Sequence, residues 1–188
     1  DIINVLEYEN IKSPVLVGHC FGGMVCLMLE KEYPKLSKEL ILISTSYKTP
    51  YFSDKLFNFP LGFKLIKTIT SMLSKNGSFS HNDFSKFNYN TDLDYKRFIN
   101  DIKVLSPKSY FYLLENLFLF NSKQELPKIK KPTLIIQGEK DIVIPATYAQ
   151  FLHENIKKSK LVILKNEHHV PVLNNPKNVY DQIITFII

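Results

Sequence analysis

The sequence predicts an α/β fold in which a parallel sheet is flanked by helices. Two regions carry this prediction, because residues 15–43 and residues 133–164 each read as strand, helix and strand in that order. A connection of this kind joins parallel strands. A chain of 188 residues with 45% hydrophobic residues is long enough to form one domain with a substantial core.

The N-terminal half of the predicted sheet begins with an amphipathic segment that is typical of the end of a helix. A short apolar strand, a densely apolar helix that ends before Pro34, and a second apolar strand follow. The predicted elements are a helix end over residues 1–10, a connector over 11–14, a strand over 15–17, a helix over 22–32 and a strand over 39–43.

Residues 47–126 differ in composition and hold most of the chain's aromatic residues, in helical pieces separated by polar connectors. The clearest predicted helix of this region is Lys108–Phe120. We predict a helical cap inserted after the second strand. The sequence leaves open whether this region forms a small helical core of its own or a lid whose inner face makes an apolar pocket.

The alternation of strands and helices returns after Leu126. A basic segment leads into an apolar strand with a turn at its carboxyl end, and Pro145 suits the first turn of the next helix. The predicted elements are a strand over residues 133–137, a turn over 138–141, a helix from 145 to about 156, a strand over 161–164, a loop over 165–175 and a closing helix over 177–188. The sheet core is thus assigned to residues 1–46 and 127–188.

The charge pattern argues against a nucleic-acid partner. The net charge is +6, but Arg97 is the only arginine and the lysines are scattered along the chain. Nucleic-acid sites favour clustered arginines, so we interpret the lysines as a solvated surface. The sequence contains no run of 18 apolar residues and no signal peptide, so we expect no stable membrane insertion. Two cysteines make no disulfide framework, which favours the cytoplasm.

The stretch Val15–Met24 is the most informative part of the sequence, because an apolar strand breaks at a glycine and restarts as a helix. Cys20 stands at the apex of the turn, in the pattern Gly18-x-Cys20-x-Gly22. This is the pattern of a nucleophile elbow with cysteine in place of serine, and we expect glycine on both sides because the turn leaves no room for Cβ atoms.

Three segments together resemble the α/β-hydrolase fold superfamily, and the resemblance covers nearly the whole chain. They occur in the order nucleophile, acid, histidine, which is the order that this fold uses. The segments are Val15–Gly23 with the elbow, Pro132–Pro145 with the sequence PTLIIQGEKDIVIP, and Glu167–Pro176 with the sequence EHHVPVLNNP.

The resemblance implies a catalytic triad of Cys20, Asp141 and His169. A thiol near its free pKa is only partly ionised at neutral pH, so Cys20 needs a base and a positive environment such as the start of the following helix. A carboxylate such as Asp141 holds that base in one tautomer. The register before x-Pro-x-Leu-x-x-Pro selects His169 over His168, which stands where the family usually has glycine.

Other candidates are interpreted without a catalytic role. Cys20 has an alternative interpretation as a small buried hydrophobic residue, which the other two segments make less favourable, and Cys26 is predicted to pack in the core. Glu139 competes weakly with Asp141, and Asn174 replaces a family glutamate. The remaining histidines are an elbow neighbour and two surface or cap residues, namely His19, His81 and His153.

The sequence identifies one of the two donors expected in the oxyanion hole. The backbone N–H of Phe21 directly follows the nucleophile and is predicted to be one donor. The second donor of the family comes from an earlier loop, and residues 1–14 contain no such segment. Because about four strands precede the elbow strand in the family, the chain resembles the C-terminal two thirds of a complete enzyme. The strand Val15–Val17 is then expected at an exposed edge.

The resulting expectation is a hydrolase that cleaves an ester or thioester through an acyl-cysteine intermediate. The aromatic cap favours a small-molecule substrate with an apolar or aromatic acyl group. No motif for a cofactor or a metal is present, so neither is expected. Two alternatives remain: an acyltransferase with the same triad, because polyhydroxyalkanoate synthases of this superfamily use cysteine, and a non-catalytic binding protein that keeps the fold.

Overall fold

The computed structural model describes residues 1–49 and 119–188, together with residues 68, 109, 112, 113, 116 and 117. The chain divides into two compact units, one formed by Asp1–Tyr47 with Ser122–Ile188 and the other by Lys48–Asn121. Most of the second unit, including His81, lies outside the described residues. The assignment of residues 47–126 as a cap therefore stays a prediction.

The first unit contains a four-stranded parallel sheet whose strands lie in the order in which they occur in the chain, and the predicted α/β fold is confirmed. Each of the first three strands pairs with the strand that follows it in the chain. The strands are β1 Val15–His19, β2 Glu39–Ile43, β3 Thr133–Gly138 and β4 Ser159–Leu164.

The described helices lie before, between and after these strands. A 3-10 turn at Leu126–Lys128 leads towards β3. In the part of the first unit that the structure describes, the α-helices are α1 Ile2–Tyr8, α2 Phe21–Glu32, α3 Ala146–Asn155, α4 Pro171–Asn174 and α5 Pro176–Ile187. None of the described helices has the length and hydropathy needed to cross a membrane.

The register of the sheet brings the ends of its strands to one edge. His19 pairs with Ile43 between β1 and β2, and Gly138 pairs with Leu164 between β3 and β4. In a parallel sheet, the loops that leave the carboxyl ends of the strands share one edge, where ligands bind in open α/β folds. The segments that carry Cys20, Asp141 and His169 all start from this edge.

The central strands form the core of the first unit. The apolar residues of β2 and β3 are almost completely buried, and α5 covers the sheet with Val179. By contrast, β1 lies at an edge of the described sheet, and Val17 is 53% exposed. This agrees with the expected position of the elbow strand. The predicted amphipathic helix at the N-terminus forms as α1, but none of its residues is buried.

Two local differences from the sequence prediction concern the last part of the chain. Strand β4 begins at Ser159, two residues earlier than expected, and the predicted loop over residues 165–175 contains the short helix α4. Pro171 starts α4, where proline fits because the first N–H of a helix needs no intrahelical acceptor. The histidine loop is therefore shorter than predicted.

The glycines of the elbow differ in their roles. A Cβ atom on Gly18 would lie 2.5 Å from the main-chain N of Gly23, so the strand and α2 approach too closely for any side chain. A Cβ atom on Gly22 would meet nothing within 4 Å. The expectation of a tight fit on both sides of Cys20 is therefore right for Gly18 and wrong for Gly22, because Gly22 faces open space in the first turn of the helix.

The two glycines form a matched pair for a stability measurement. We expect Gly18→Ala to lower the free energy of unfolding by about 2 kcal/mol or more, because α2 must shift to admit the methyl group. We expect Gly22→Ala to change it by less than about 1 kcal/mol, since alanine favours helix over glycine. Urea unfolding of both variants measures the difference, and equal midpoints would contradict the close approach at Gly18.

Candidate active site

Cys20 occupies the apex of a strained turn. It follows β1, forms the N-cap of α2, and has φ 51° and ψ −118°. Positive φ is unfavourable for a residue with a side chain, and residues held in this way are frequent at functional sites. The Cys20 N–H donates to the Ile43 carbonyl oxygen at 2.9 Å, so the end of β2 supports the turn. This is the geometry of a nucleophile elbow.

A buried threonine also supports the elbow. The Thr45 hydroxyl donates to the Cys20 carbonyl oxygen at 2.6 Å, and the Gly23 N–H donates to the same oxygen at 3.0 Å. Both main-chain polar groups of Cys20 are therefore hydrogen-bonded. Sequence reasoning gave Thr45 no role, although a polar run directly after an apolar strand is a signal that could have identified it.

Phe21 begins α2 next to Cys20. By helix geometry, the first N–H groups of a helix have no intrahelical acceptor, and the helix dipole places partial positive charge at this end. The main-chain N–H of Phe21 therefore lies at the positive end of α2, and its role as an oxyanion donor stays a prediction.

Asp141 lies in the turn after β3, and its side chain is completely buried. One carboxylate oxygen, Oδ1, accepts from the main-chain N–H groups of Val143 at 2.9 Å and Ile144 at 2.8 Å. A carboxylate held by local N–H groups has a fixed orientation. Its second oxygen, Oδ2, is therefore aimed in one direction.

Gln137 fixes that second oxygen from the strand side. It is the penultimate residue of β3 and is fully buried, and its Nε2 donates to Asp141 Oδ2 at 2.9 Å and to the Ile144 carbonyl oxygen at 3.0 Å. Sequence reasoning missed Gln137. The available signal was a polar amide at the end of an otherwise apolar strand.

His169 meets the same oxygen from the loop after β4. Its Nδ1 lies 2.9 Å from Asp141 Oδ2, and the ring is buried. A carboxylate can only accept, so Nδ1 carries a proton, and whenever the ring is neutral its lone pair is at Nε2. This is the tautomer that a general base needs, and the bond assigns the orienting contact to His169, the residue selected by the sequence register.

The histidine loop crosses closely over the end of β3. A Cβ atom on Gly138 would lie 2.7 Å from the Glu167 carbonyl oxygen, and the Lys140 N–H donates to that oxygen at 2.8 Å. The Glu139 carboxylate accepts from the Asn166 N–H at 2.9 Å. Glu139 therefore holds the loop, which explains its presence without a catalytic role.

The protonation of His169 reflects both neighbours. Burial of the ring lowers the pKa of His169. The hydrogen bonds to Asp141 and Cys20 and the negative charges of both groups raise it more, to about 10. The structure thus brings Cys20 and His169 into contact as well as His169 and Asp141.

The residues that were interpreted without a catalytic role lie in other surroundings. Cys26 is buried in the core on α2, and burial, followed by the charge of Glu30, raises the pKa of its thiol to about 11. His153 is exposed on α3 and contacts Ser159. His19 is different, because its ring reaches the histidine loop.

A parallel sheet that carries a cysteine at a strand–turn–helix elbow, a buried carboxylate and a histidine at its carboxyl edge is typical of the class of α/β hydrolases. A comparison with protein families agrees, since the model of the alpha/beta hydrolase fold matches residues 1–176. The chain belongs to the alpha/beta hydrolase fold family, as the resemblance of its three segments indicates.

Similar proteins include a receptor and esterases. The chain is 23% identical to Karrikin insensitive 2 receptor CA of Petunia hybrida, covering 100% of this chain and 70% of the relative. It is 28% identical to pimeloyl-[acyl-carrier protein] methyl ester esterase of Wigglesworthia glossinidia brevipalpis, covering 93% and 70%. A thermophilic esterase from Thermogutta terrifontis has a similar fold, with a TM-score of 0.71 and 18% identity over 100% of this chain and 69% of the esterase.

The pKa of His169 can be measured by an NMR titration of its imidazole resonance, assigned with His169→Gln. We expect a value near 10 in the wild-type chain and lower values in Asp141→Asn and in Cys20→Ala, because each change removes a group that stabilises the imidazolium. In the variant that carries both Asp141→Asn and Cys20→Ala, burial still disfavours the imidazolium and neither group stabilises it. We therefore expect the pKa of His169 to fall below the ordinary 6.5. A wild-type titration near 6.5 would contradict the contacts with Cys20 and Asp141.

Proposed function

We propose that this protein is a hydrolase that cleaves an ester or thioester through an acyl-cysteine intermediate. Cys20 is the nucleophile, His169 transfers the proton, Asp141 orients His169, and the Phe21 N–H stabilises the oxyanion. The observation that carries the proposal is the buried hydrogen bond from His169 Nδ1 to Asp141 Oδ2 at 2.9 Å, together with the contact of the same ring with Cys20.

The first half of the proposed reaction forms the acyl-enzyme. The Cys20 thiolate attacks the substrate carbonyl carbon, and the carbonyl π electrons move to the oxygen, which accepts from the Phe21 N–H. The tetrahedral intermediate collapses, the bond to the leaving group breaks, and His169 Nε2 gives its proton to the departing alcohol or thiol. The acyl group is then bound to sulfur as a thioester.

The second half returns the enzyme to its starting state. Once Cys20 is acylated, its hydrogen bond and its charge no longer raise the pKa of His169, so the ring can act as a base. His169 takes a proton from water while the hydroxide attacks the thioester carbonyl. The intermediate expels the Cys20 thiolate and releases the carboxylic acid, and the imidazolium faces the thiolate again.

The nucleophile limits the proposed substrate class. When a thiolate adds to an alkyl ester, the intermediate expels the thiolate more readily than the less stable alkoxide, because the leaving group of lower pKa departs faster. Thioesters and aryl esters have leaving groups that compete with Cys20. We therefore propose a small-molecule thioester or activated ester with an apolar or aromatic acyl group, cleaved without cofactor or metal in the cytoplasm.

Acyl-enzyme formation is tested with a p-nitrophenyl ester in a stopped-flow assay. We expect a burst of p-nitrophenolate in the wild-type chain. We expect Cys20→Ala and His169→Ala to lower the rate on the order of a thousandfold or more, because each removes a group that takes part in the transition state. Asp141→Asn is expected to lower it strongly through loss of the orienting contact.

His168→Ala and Cys26→Ser serve as matched controls for the neighbouring histidine and the second thiol. We expect both to keep the burst. A normal burst in Cys20→Ala would exclude the acyl-cysteine, and no activity in the wild-type chain would favour a non-catalytic binding protein. Added alcohols that divert the acyl group from water would identify an acyltransferase with the same triad.

The leaving-group preference is tested with two substrates that share an acyl group, S-ethyl thiobutyrate and ethyl butyrate. We expect kcat/KM to be about tenfold or more higher for the thioester, because ethanethiolate is a better leaving group than ethoxide. Product acid is measured for both by pH-stat titration. Equal kcat/KM values would contradict the proposed preference for thioesters. The formation of an acyl-cysteine is tested separately by the burst experiment.

A further inference from the structure

His19 connects the nucleophile to the histidine loop. It is the last residue of β1 and directly precedes Cys20, and its main chain is paired with Ile43 in the sheet. A residue at the end of a paired strand has little freedom to move. Its side chain is therefore a fixed reference point beside the elbow.

The His19 ring contacts the main chain of the candidate base. Its Nε2 lies 2.8 Å from the His169 carbonyl oxygen, across 150 positions of sequence. A carbonyl oxygen only accepts hydrogen bonds, so Nε2 carries a proton. This condition is met both by the neutral tautomer protonated at Nε2 and by the imidazolium, so the bond is compatible with either charge of His19. The two imidazole rings lie with centroids 5.2 Å apart.

This bond supplies an anchor at the point where the loop carries His169. On the amino-terminal side, the Glu167 carbonyl oxygen accepts from the Lys140 N–H. On the carboxyl-terminal side, the Asn174 N–H donates to the Val170 carbonyl oxygen in α4. The His19 bond lies between these two bonds along the chain. It holds the peptide unit that directly follows the His169 Cα, the atom that carries the imidazole side chain.

The position of that peptide unit determines how the ring of His169 meets Cys20. Asp141 fixes Nδ1, but this hydrogen bond by itself does not prevent rotation about the Nδ1–Oδ2 axis when the His169 Cα moves, and such a rotation would carry the ring away from Cys20. Fixing the main chain removes this freedom. Reacting groups must be placed to within about 1 Å, since a misplacement of that size lowers rates on the order of a hundredfold.

We propose that His19 is a positioning residue: its ring holds the main chain of His169 and thereby sets the approach of the His169 imidazole to the Cys20 sulfur. This inference rests on the proposed function for its catalytic meaning. The positioning itself is a property of the resting protein and can be measured without a substrate.

Two variants separate the hydrogen bond from ring packing. His19→Phe keeps a ring of similar size without a donor, and His19→Gln places an amide N–H near the position of Nε2. His153→Phe is a matched control, because His153 is an exposed histidine on α3 outside the site. Far-UV circular dichroism and urea midpoints establish that each variant is folded.

The first readout is alkylation of the folded protein by iodoacetamide at pH 7, with the two thiols distinguished by mass spectrometry. Cys26 is an internal control, since burial and a thiol pKa of about 11 keep it unreactive. We expect His19→Phe to slow alkylation of Cys20 about tenfold or more, because the His169 ring is no longer held beside the sulfur to take up its proton. His19→Gln is expected to recover most of the rate, and His153→Phe to match the wild-type chain.

The second readout is the pKa of His169 by NMR. We expect it to fall in His19→Phe, because the ring loses its contact with Cys20, and to return towards the wild-type value in His19→Gln. Unchanged alkylation and unchanged His169 pKa in His19→Phe would overturn the inference. Equal losses in both His19 variants, with lowered stability, would also overturn it and indicate a structural role alone.

These readouts separate the inference from the proposed function. A wild-type chain that hydrolyses no ester, but whose Cys20 reactivity and His169 pKa depend on His19 as expected, would reject the proposed function and support the positioning. A chain with a Cys20-dependent burst that is insensitive to His19→Phe would do the reverse.

Discussion

The carboxylate of Asp141 is the group on which the arrangement of the site depends. Burying a charge costs several kcal/mol unless it is matched by hydrogen bonds, and Asp141 accepts four, from Gln137, Val143, Ile144 and His169. These donors come from the end of β3, the turn after it and the loop after β4. One buried charge therefore joins three segments, and their relative positions are fixed by the need to satisfy it.

The sequence was sufficient to identify the elements that have a strong periodic pattern. The apolar strands and the order of the three segments predicted a parallel sheet with Cys20, Asp141 and His169 at one edge. The structure has this sheet and places the three residues together. Contacts that depend on close approach were not visible, because no local pattern encodes them. Gln137 and Thr45 are ordinary polar residues until the fold places them against Asp141 and Cys20.

The glycines illustrate the same limit. A pattern of small residues around Cys20 indicated a tight turn, but only the structure distinguishes the crowded Gly18 from the unobstructed Gly22. Likewise, His168 stands where a glycine was expected in the histidine loop, and the structure has its close approach at Gly138, at the end of the neighbouring strand β3. When two segments approach closely, tertiary packing decides which of them needs the glycine. The spacing of residues along the sequence does not show this.

The backbone of Cys20 also restricts which chemistry can occupy the elbow. At φ 51° a side chain with two heavy atoms on Cβ collides with its own main chain, so β-branched residues are strongly disfavoured there. Cysteine and serine each have one heavy atom on Cβ, whereas threonine has two. The backbone conformation can therefore accommodate serine, a primary alcohol, in place of cysteine. It disfavours threonine, a secondary alcohol, whatever the reactivity of its hydroxyl.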